Sequence, residues 1–151
     1  MGMTVERTKL YTIGYEKRDL AEFLDILMEN EVEIIIDIRA VPYSRRKEYS
    51  KKILAASLTQ AGIEYVHIVE LGSPKELRDK VKADDDYDYF FAEYEKYLQT
   101  QTEALRRIVN IAGEKNSCLL CYERDVDRCH RRAVADGIRD MAGENIGISH
   151  L

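Results

Sequence analysis

Short apolar runs alternate along the chain with longer segments in which apolar residues recur every three or four positions. The runs at residues 10–13, 32–38, 63–69, 117–122 and 146–149 are typical of β-strands, because they are short and contain many β-branched residues. The second run is almost continuously apolar, as expected of a strand that is covered on both faces. Five strands are therefore predicted.

Between these runs, the spacing of apolar positions predicts helices. We predict that helices begin after Asp19 and after Ser50, since both side chains can accept hydrogen bonds from first-turn amide groups. The remaining predicted helices cover residues 75–81, 87–113 and 126–141.

The order of these elements predicts a three-layer α/β fold, with a mainly parallel sheet of about five strands and helices on both faces. A chain of 151 residues has the length of a single domain, and we expect residues 1–8 to form a short flexible or edge segment. Right-handed crossovers would bring the carboxyl ends of the strands to one edge of the sheet. Gly14, Arg39 and Glu123 are expected at that edge, where α/β proteins bind ligands.

Composition narrows the possible partners and location. The net charge of −5 argues against bulk electrostatic binding to nucleic acid, although six bases and only Glu48 as an acid occur between residues 39 and 52. No apolar run approaches the roughly 18–20 residues of a membrane helix. Three cysteines, an odd number in a chain with ample core, indicate reduced thiols and a cytoplasmic protein.

Cys129 is the first candidate catalytic residue. With Asp125 or Asp127 as the cap, Cys129 would lie in the first turn of the last long helix, where free amide groups and the helix dipole favour a thiolate. Neighbouring arginines would add positive charge. The alternative is a small buried thiol that only packs.

Glu123 is the second candidate catalytic residue, either as a general acid or base or as the partner of an arginine in a salt bridge. Guanidinium groups at the strand ends are suited to bind phosphate, sulfate or carboxylate. Asp37 offers another interpretation, because it can hold Arg39 in a structural ion pair. The predicted ligand-binding residues are Arg39, Tyr43, Ser44, Arg45, His130 and Arg131.

Two further roles are open to the cysteines, as a redox pair or as zinc ligands. Cys118 and Cys121 are three residues apart on a strand, so they face opposite sides of the sheet about 10 Å apart, too far for a disulfide. Cys121 and Cys129 remain a possible redox pair. For zinc, the buried strand between two of the thiols and the adjacency of Cys129 and His130 oppose convergence on one ion. We therefore predict no metal ligand and no cofactor.

Several short motifs together resemble the DUF488 family, an uncharacterised domain. The motifs are Thr12-Ile13-Gly14-Tyr15, Asp37-Ile38-Arg39, Pro42-Tyr43-Ser44-Arg45, Gly62-Ile63-Glu64-Tyr65, Glu70-Leu71-Gly72, and Cys121-Tyr122-Glu123 through Cys129-His130-Arg131. The resemblance implies a small α/β cytosolic protein and supplies no activity. It also implies that the following residues belong to the family's shared signature: Arg39, Pro42, Ser44, Arg45, Glu123, Cys129, His130 and Arg131.

The preferred hypothesis is an enzyme that acts on an anionic, phosphate-bearing ligand, such as a nucleotide or a nucleic-acid end. One alternative is a non-catalytic module that binds phosphate or nucleic acid. The other is a thiol-redox sensor that uses Cys121 and Cys129. The sequence makes no prediction of oligomeric state.

Overall fold

A computed structural model describes residues 8–143 and 146–151, which form a parallel sheet between two layers of helices. The strands are β1 (Thr8–Gly14), β2 (Ile34–Asp37), β3 (Glu64–His67), β4 (Ser117–Cys121) and β5 (Ile146–His150). They pair in the order β3-β2-β4-β1-β5, and every pairing is parallel. The predicted α/β fold is confirmed. Most of the segment predicted to be flexible or at an edge, residues 1–7, lies outside the described residues.

Helices cover both faces of the sheet. They are α1 (Leu20–Glu29), α2 (Lys51–Gln60), α3 (Lys75–Asp84), α4 (Tyr87–Leu98), α5 (Thr102–Glu114) and α6 (Arg131–Ala142). Helices α1 and α2 pack on one face, and α4, α5 and α6 pack on the other, where α3 adds partly buried residues. Among the residues that the structure describes, no helix has the length and apolar character needed to cross a bilayer.

Strand β4 shows how the sheet divides the core in two. Cys118 and Leu120 pack with α1 and α2, whereas Leu119 and Cys121 pack with the helices of the opposite layer. This alternation follows from the two-residue period of a strand. Cys118 and Cys121 therefore face opposite sides of the sheet, as the sequence predicted.

The single helix predicted at residues 87–113 is wrong, because the chain forms α4 and α5 with a break at residues 99–101. The Thr100 hydroxyl donates a hydrogen bond to the Tyr97 carbonyl oxygen at 2.6 Å, which satisfies an acceptor at the end of α4. Leu98 and Leu105, on either side of the break, are both buried in the same core. The turn thus lets both helices bury side chains in one core.

The predicted start of the last helix is also wrong. Asp125 accepts a hydrogen bond from the Asp127 amide at 2.9 Å and caps a 3₁₀ turn at Val126–Arg128. The chain is extended at Cys129 (φ −133°, ψ 138°), and α6 begins at Arg131. Cys129 therefore precedes the first turn of α6.

The third strand is also shorter than predicted, since a 3₁₀ turn at Val69–Leu71 follows it.

Candidate functional site

A cleft of about 760 Å³ opens at the carboxyl edge of the sheet, where the loops after β1, β2 and β4 meet. Its position and size are those of a ligand site in an α/β protein. Six of the eight predicted site residues line it: Arg39, Tyr43, Ser44, Arg45, Glu123 and His130. The other two, Cys129 and Arg131, lie behind the wall with 1% and 0% of their surfaces exposed.

Basic side chains predominate in the lining of this cleft. The bases are Arg39, Arg45, Arg46, Arg78, Lys82 and Arg128, and the acids are Asp85 and Glu123. Arg39 and Arg46 form ion pairs with Asp37 and Glu48. Within residues 8–143 and 146–151, no carboxylate oxygen lies within 4.0 Å of a side-chain nitrogen of the other four bases. The cleft is thus a cationic surface on an acidic chain.

Arg39 is largely engaged within the protein. Its Nε and Nη2 atoms donate to the two oxygen atoms of Asp37 at 2.9 and 2.8 Å, and its Nη1 atom donates to the Tyr49 carbonyl oxygen at 2.8 Å. The pair raises the pKa of Arg39, although burial alone would lower it. The structural ion pair that the sequence allowed is therefore present, and it orients one wall of the cleft.

Arg131 connects three parts of the site from behind. Its Nε atom donates to the Thr12 hydroxyl at 3.1 Å, Nη2 donates to the Arg124 carbonyl oxygen at 3.1 Å, and Nη1 donates to the Glu123 carbonyl oxygen. The guanidinium group thus fixes the backbone that carries Glu123. The structure does not bring Arg131 to the surface of the cleft, where a ligand would contact it.

The loop after β2 supplies the predicted residues Tyr43, Ser44 and Arg45. The Ser44 amide donates to the Ser50 hydroxyl at 3.0 Å, and the Ser44 hydroxyl accepts from the Arg46 amide at 3.1 Å. Hydrogen bonds of this kind replace regular secondary structure in a turn. They hold the loop in place, while Tyr43 is 76% exposed at the rim of the cleft.

Glu123 is a carboxylic acid in a partly buried position of the cleft wall. Burial and the neighbouring Cys129 sulfur raise the pKa of Glu123, His130 acts in the opposite direction, and the net result is a pKa of about 7. A carboxyl group whose pKa lies near neutrality is present in both protonation states at neutral pH. Such a group is chemically able to donate and to accept a proton.

Two thiols and an imidazole meet beneath the cleft. The Cys121 sulfur lies 3.7 Å from both ring nitrogen atoms of His130, and the Cys129 sulfur lies 3.9 Å from its Nδ1 atom. The two sulfur atoms and a ring nitrogen all lie within 4.8 Å of one another. Cys129 and His130 thus place their donor atoms close together although they are adjacent in the chain. The absence of a metal ligand stays a prediction. The Cys121–Cys129 redox pair remains a prediction.

The three cysteine thiols differ in pKa because their surroundings differ. Burial raises the pKa of Cys118 and that of Cys121. Burial acts on Cys129 in the same direction, but hydrogen bonds with Cys121 and His130 outweigh it and hold the pKa of Cys129 well below its usual value. The same contact raises the pKa of His130 despite its burial. The pKa of Cys129 is thus lowered by Cys121 and His130 and not by a helix terminus, in a position that is closed to solvent. A reactive Cys129 stays a prediction.

Sequence reasoning missed the wall that α3 and α4 contribute. Arg78 and Lys82 are four residues apart on α3, and Tyr87 and Phe90 are three residues apart on α4, so each pair shares a helix face. The basic spacing was visible in the sequence. That spacing gave no indication that α3 lies against the carboxyl edge of the sheet and lines the cleft.

These features define a class of protein: a three-layer α/β domain with a basic cleft at the switch point of its sheet and a buried cluster of two cysteines and a histidine. A family model described as "Domain of unknown function DUF488" matches residues 19–138, which is most of the chain. The chain belongs to the DUF488 family, as the motifs suggested. Comparisons with curated proteins and with solved structures found no match.

Proposed function

We propose that this protein is an enzyme that binds a phosphate-bearing ligand of the nucleotide class in the cleft, with Glu123 exchanging protons with the bound ligand. The observation that carries the proposal is the charge of the cleft. Six basic and two acidic side chains line it, although the whole chain has a net charge of −5. A cationic pocket on an acidic protein indicates selection for an anion at that place.

The distribution of the bases favours phosphate over a single carboxylate. Arg45 lies on the loop after β2, Arg78 and Lys82 lie on α3, and Arg128 lies in the turn before α6. Cations on three separate segments surround the space. Arginine binds phosphate oxygen atoms through paired charge-assisted hydrogen bonds, and a polyphosphate presents enough oxygen atoms for several such groups.

Aromatic side chains favour a ligand that also carries a flat ring. The cleft is lined by Tyr15, Tyr43, Tyr87, Phe90 and Tyr122. Two of these are accessible at the rim, since Tyr43 is 76% exposed and Tyr122 is 48% exposed. Stacking on such rings stabilises a nucleobase by about 1–3 kcal/mol. The bases and the aromatic rings together support a ligand of the nucleotide class.

Binding is tested by titrating the protein with adenosine 5′-diphosphate in a calorimeter. We expect Arg78→Gln combined with Arg128→Gln to weaken binding at least about tenfold, because a hydrogen bond to a charged group contributes about 1.5–3 kcal/mol. Ribose 5-phosphate is expected to bind more weakly than adenosine 5′-monophosphate, since it lacks the base.

The matched control removes two charges elsewhere. Arg106 and Arg107 are on α5 and outside the cleft, so Arg106→Gln with Arg107→Gln leaves the site intact while changing the net charge equally. Equal weakening in both double variants would contradict the proposal, because binding would then depend only on bulk charge. Absence of binding by the wild type would contradict it as well.

Catalysis is tested by incubating nucleoside mono-, di- and triphosphates with the protein and following them by ³¹P and ¹H NMR spectroscopy. We expect the wild type to convert one of them. Glu123→Gln is expected to bind the same nucleotide but to convert it at least about 100-fold more slowly, since a positioned acid or base contributes about 10²–10⁴-fold. Binding without conversion by the wild type would contradict the enzymatic part of the proposal and favour the non-catalytic binding module.

A further inference from the structure

We infer that Cys121, Cys129 and His130 bind one zinc ion beneath the cleft. The cluster joins the carboxyl end of β4 to the residue that caps α6. All three residues are buried, and among the described residues they are the group of potential ligands whose donor atoms converge. Two thiolates and one imidazole form a ligand set that zinc prefers.

The distances between the donor atoms are close to those that zinc imposes. Zinc binds sulfur at about 2.3 Å and nitrogen at about 2.0–2.1 Å, so sulfur and nitrogen ligands of a tetrahedral ion lie about 3.6 Å apart. Here the sulfur atoms of Cys121 and Cys129 lie 3.7 and 3.9 Å from His130 Nδ1. The Cys121 sulfur is also 3.7 Å from Nε2, so it lies to one side of the Nδ1 lone pair. The two sulfur atoms lie within 4.8 Å of each other. Zinc binding at Nδ1 therefore requires the Cys121 side chain to rotate about its Cα–Cβ bond, whereas the Cys129 sulfur is within about 0.3 Å of the expected sulfur–nitrogen separation.

A main-chain contact of His130 determines which ring nitrogen is free to bind a metal. Its Nε2 atom lies 2.8 Å from the Ile38 carbonyl oxygen, which can only accept a hydrogen bond, so Nε2 carries the proton. In the neutral ring the lone pair is then on Nδ1, the atom near Cys129. The Tyr94 ring packs edge-on against the imidazole at 5.3 Å. A backbone carbonyl that fixes the tautomer of the histidine is the usual outer partner of a zinc ligand.

The Cys129 sulfur also has an outer partner. The Arg131 amide donates to it at 3.5 Å, from the first residue of α6. Three protein ligands are the number found at catalytic zinc sites, which keep a fourth position for water or substrate. His130 lines the cleft, so the ion would lie next to the space proposed for the anionic ligand.

The test uses cobalt, because Co²⁺ replaces zinc and reports its ligands by absorption. The reduced full-length protein is titrated with CoCl₂ and then with ZnCl₂. We expect one equivalent of Co²⁺ to produce a thiolate-to-cobalt charge-transfer band and intense tetrahedral d–d bands, and one equivalent of Zn²⁺ to remove them. Cys129→Ser and Cys121→Ser are expected to lose most of the charge-transfer intensity.

Cys118→Ala is the matched control. It removes a buried thiol from the opposite face of β4 and leaves the three donor atoms in place. We expect this variant to retain the bands. Their absence from the folded wild type would overturn the inference, and so would bands that depend on Cys118 or persist in Cys129→Ser. No nucleotide is present in the experiment, so the result is independent of the proposed function.

Discussion

Asp37→Asn is expected to lower the free energy of unfolding by about 3–5 kcal/mol, because it leaves a buried guanidinium group without its counter-charge. Asp37 is fully buried and Arg39 is 5% exposed. The carboxylate accepts two hydrogen bonds from the Arg39 side chain, one from the Arg39 amide at 3.1 Å, and one from the Tyr65 hydroxyl. An amide can replace only part of this set, and it carries no charge. Urea denaturation followed by circular dichroism measures the loss.

A surface ion pair provides the control. Lys75 and Asp79 are bonded on the exposed side of α3, where water already solvates both groups. Asp79→Asn is therefore expected to change the free energy of unfolding by less than about 1 kcal/mol. Similar losses of unfolding free energy in the two variants would show that the buried pair stabilises the protein no more than a surface pair does. An Asp37→Asn variant of wild-type stability would show the same.

The fold was predictable because strands and helices leave separate signatures in this sequence. Residues 34–37 are continuously apolar up to Asp37, which identifies a strand covered on both faces, and Asp19 caps α1 as expected, by accepting from the Glu22 amide at 2.7 Å. The break between α4 and α5 was not predictable from periodicity. Leu98 and Leu105 keep a helical spacing across it, and both are buried in the same core.

The site was predictable as far as it depends on strand ends. Parallel strands bring Arg39 and Glu123 to one edge whatever the details of packing, and both line the cleft. The sequence did not show which charged side chains bond within the protein. Arg131, for example, donates to backbone carbonyl groups, and every residue type has one. It also left open the placement of α3, whose bases Arg78 and Lys82 reach the cleft through tertiary structure.

The hydrogen bonds of the buried Arg131 side chain connect strand β1 to the turn after β4. Its guanidinium group bonds Thr12 on β1 and the carbonyl groups of Glu123 and Arg124 after β4. The Tyr15 amide continues this association by donating to the Cys121 carbonyl oxygen at 3.3 Å. The turn that carries Glu123 is therefore held against the end of β1. That close approach depends on the residue at position 14.

Gly14→Ala is expected to lower the free energy of unfolding by at least about 3 kcal/mol, because the new methyl group would overlap the backbone. A Cβ atom at Gly14 would lie 1.8 Å from the Glu123 carbonyl oxygen, 2.4 Å from its carbonyl carbon and 2.9 Å from the Arg124 nitrogen. These are backbone atoms, so no side-chain rotation relieves the overlap. The turn would have to move away from β1, and it would take with it the carbonyl oxygen that Arg131 binds. Thermal and urea denaturation measure the loss.

Gly113→Ala is the matched control, because it adds the same methyl group where space is open. Nothing lies within 4 Å of a Cβ atom at Gly113, which is near the end of α5. Alanine loses less conformational freedom than glycine in a helix, so this substitution is expected to raise stability by up to about 1 kcal/mol. The two glycine variants should thus change stability in opposite directions. If Gly14→Ala were as stable as the wild type, the turn could not be held as close to β1 as the structure places it, and the wall that carries Glu123 would have a different position.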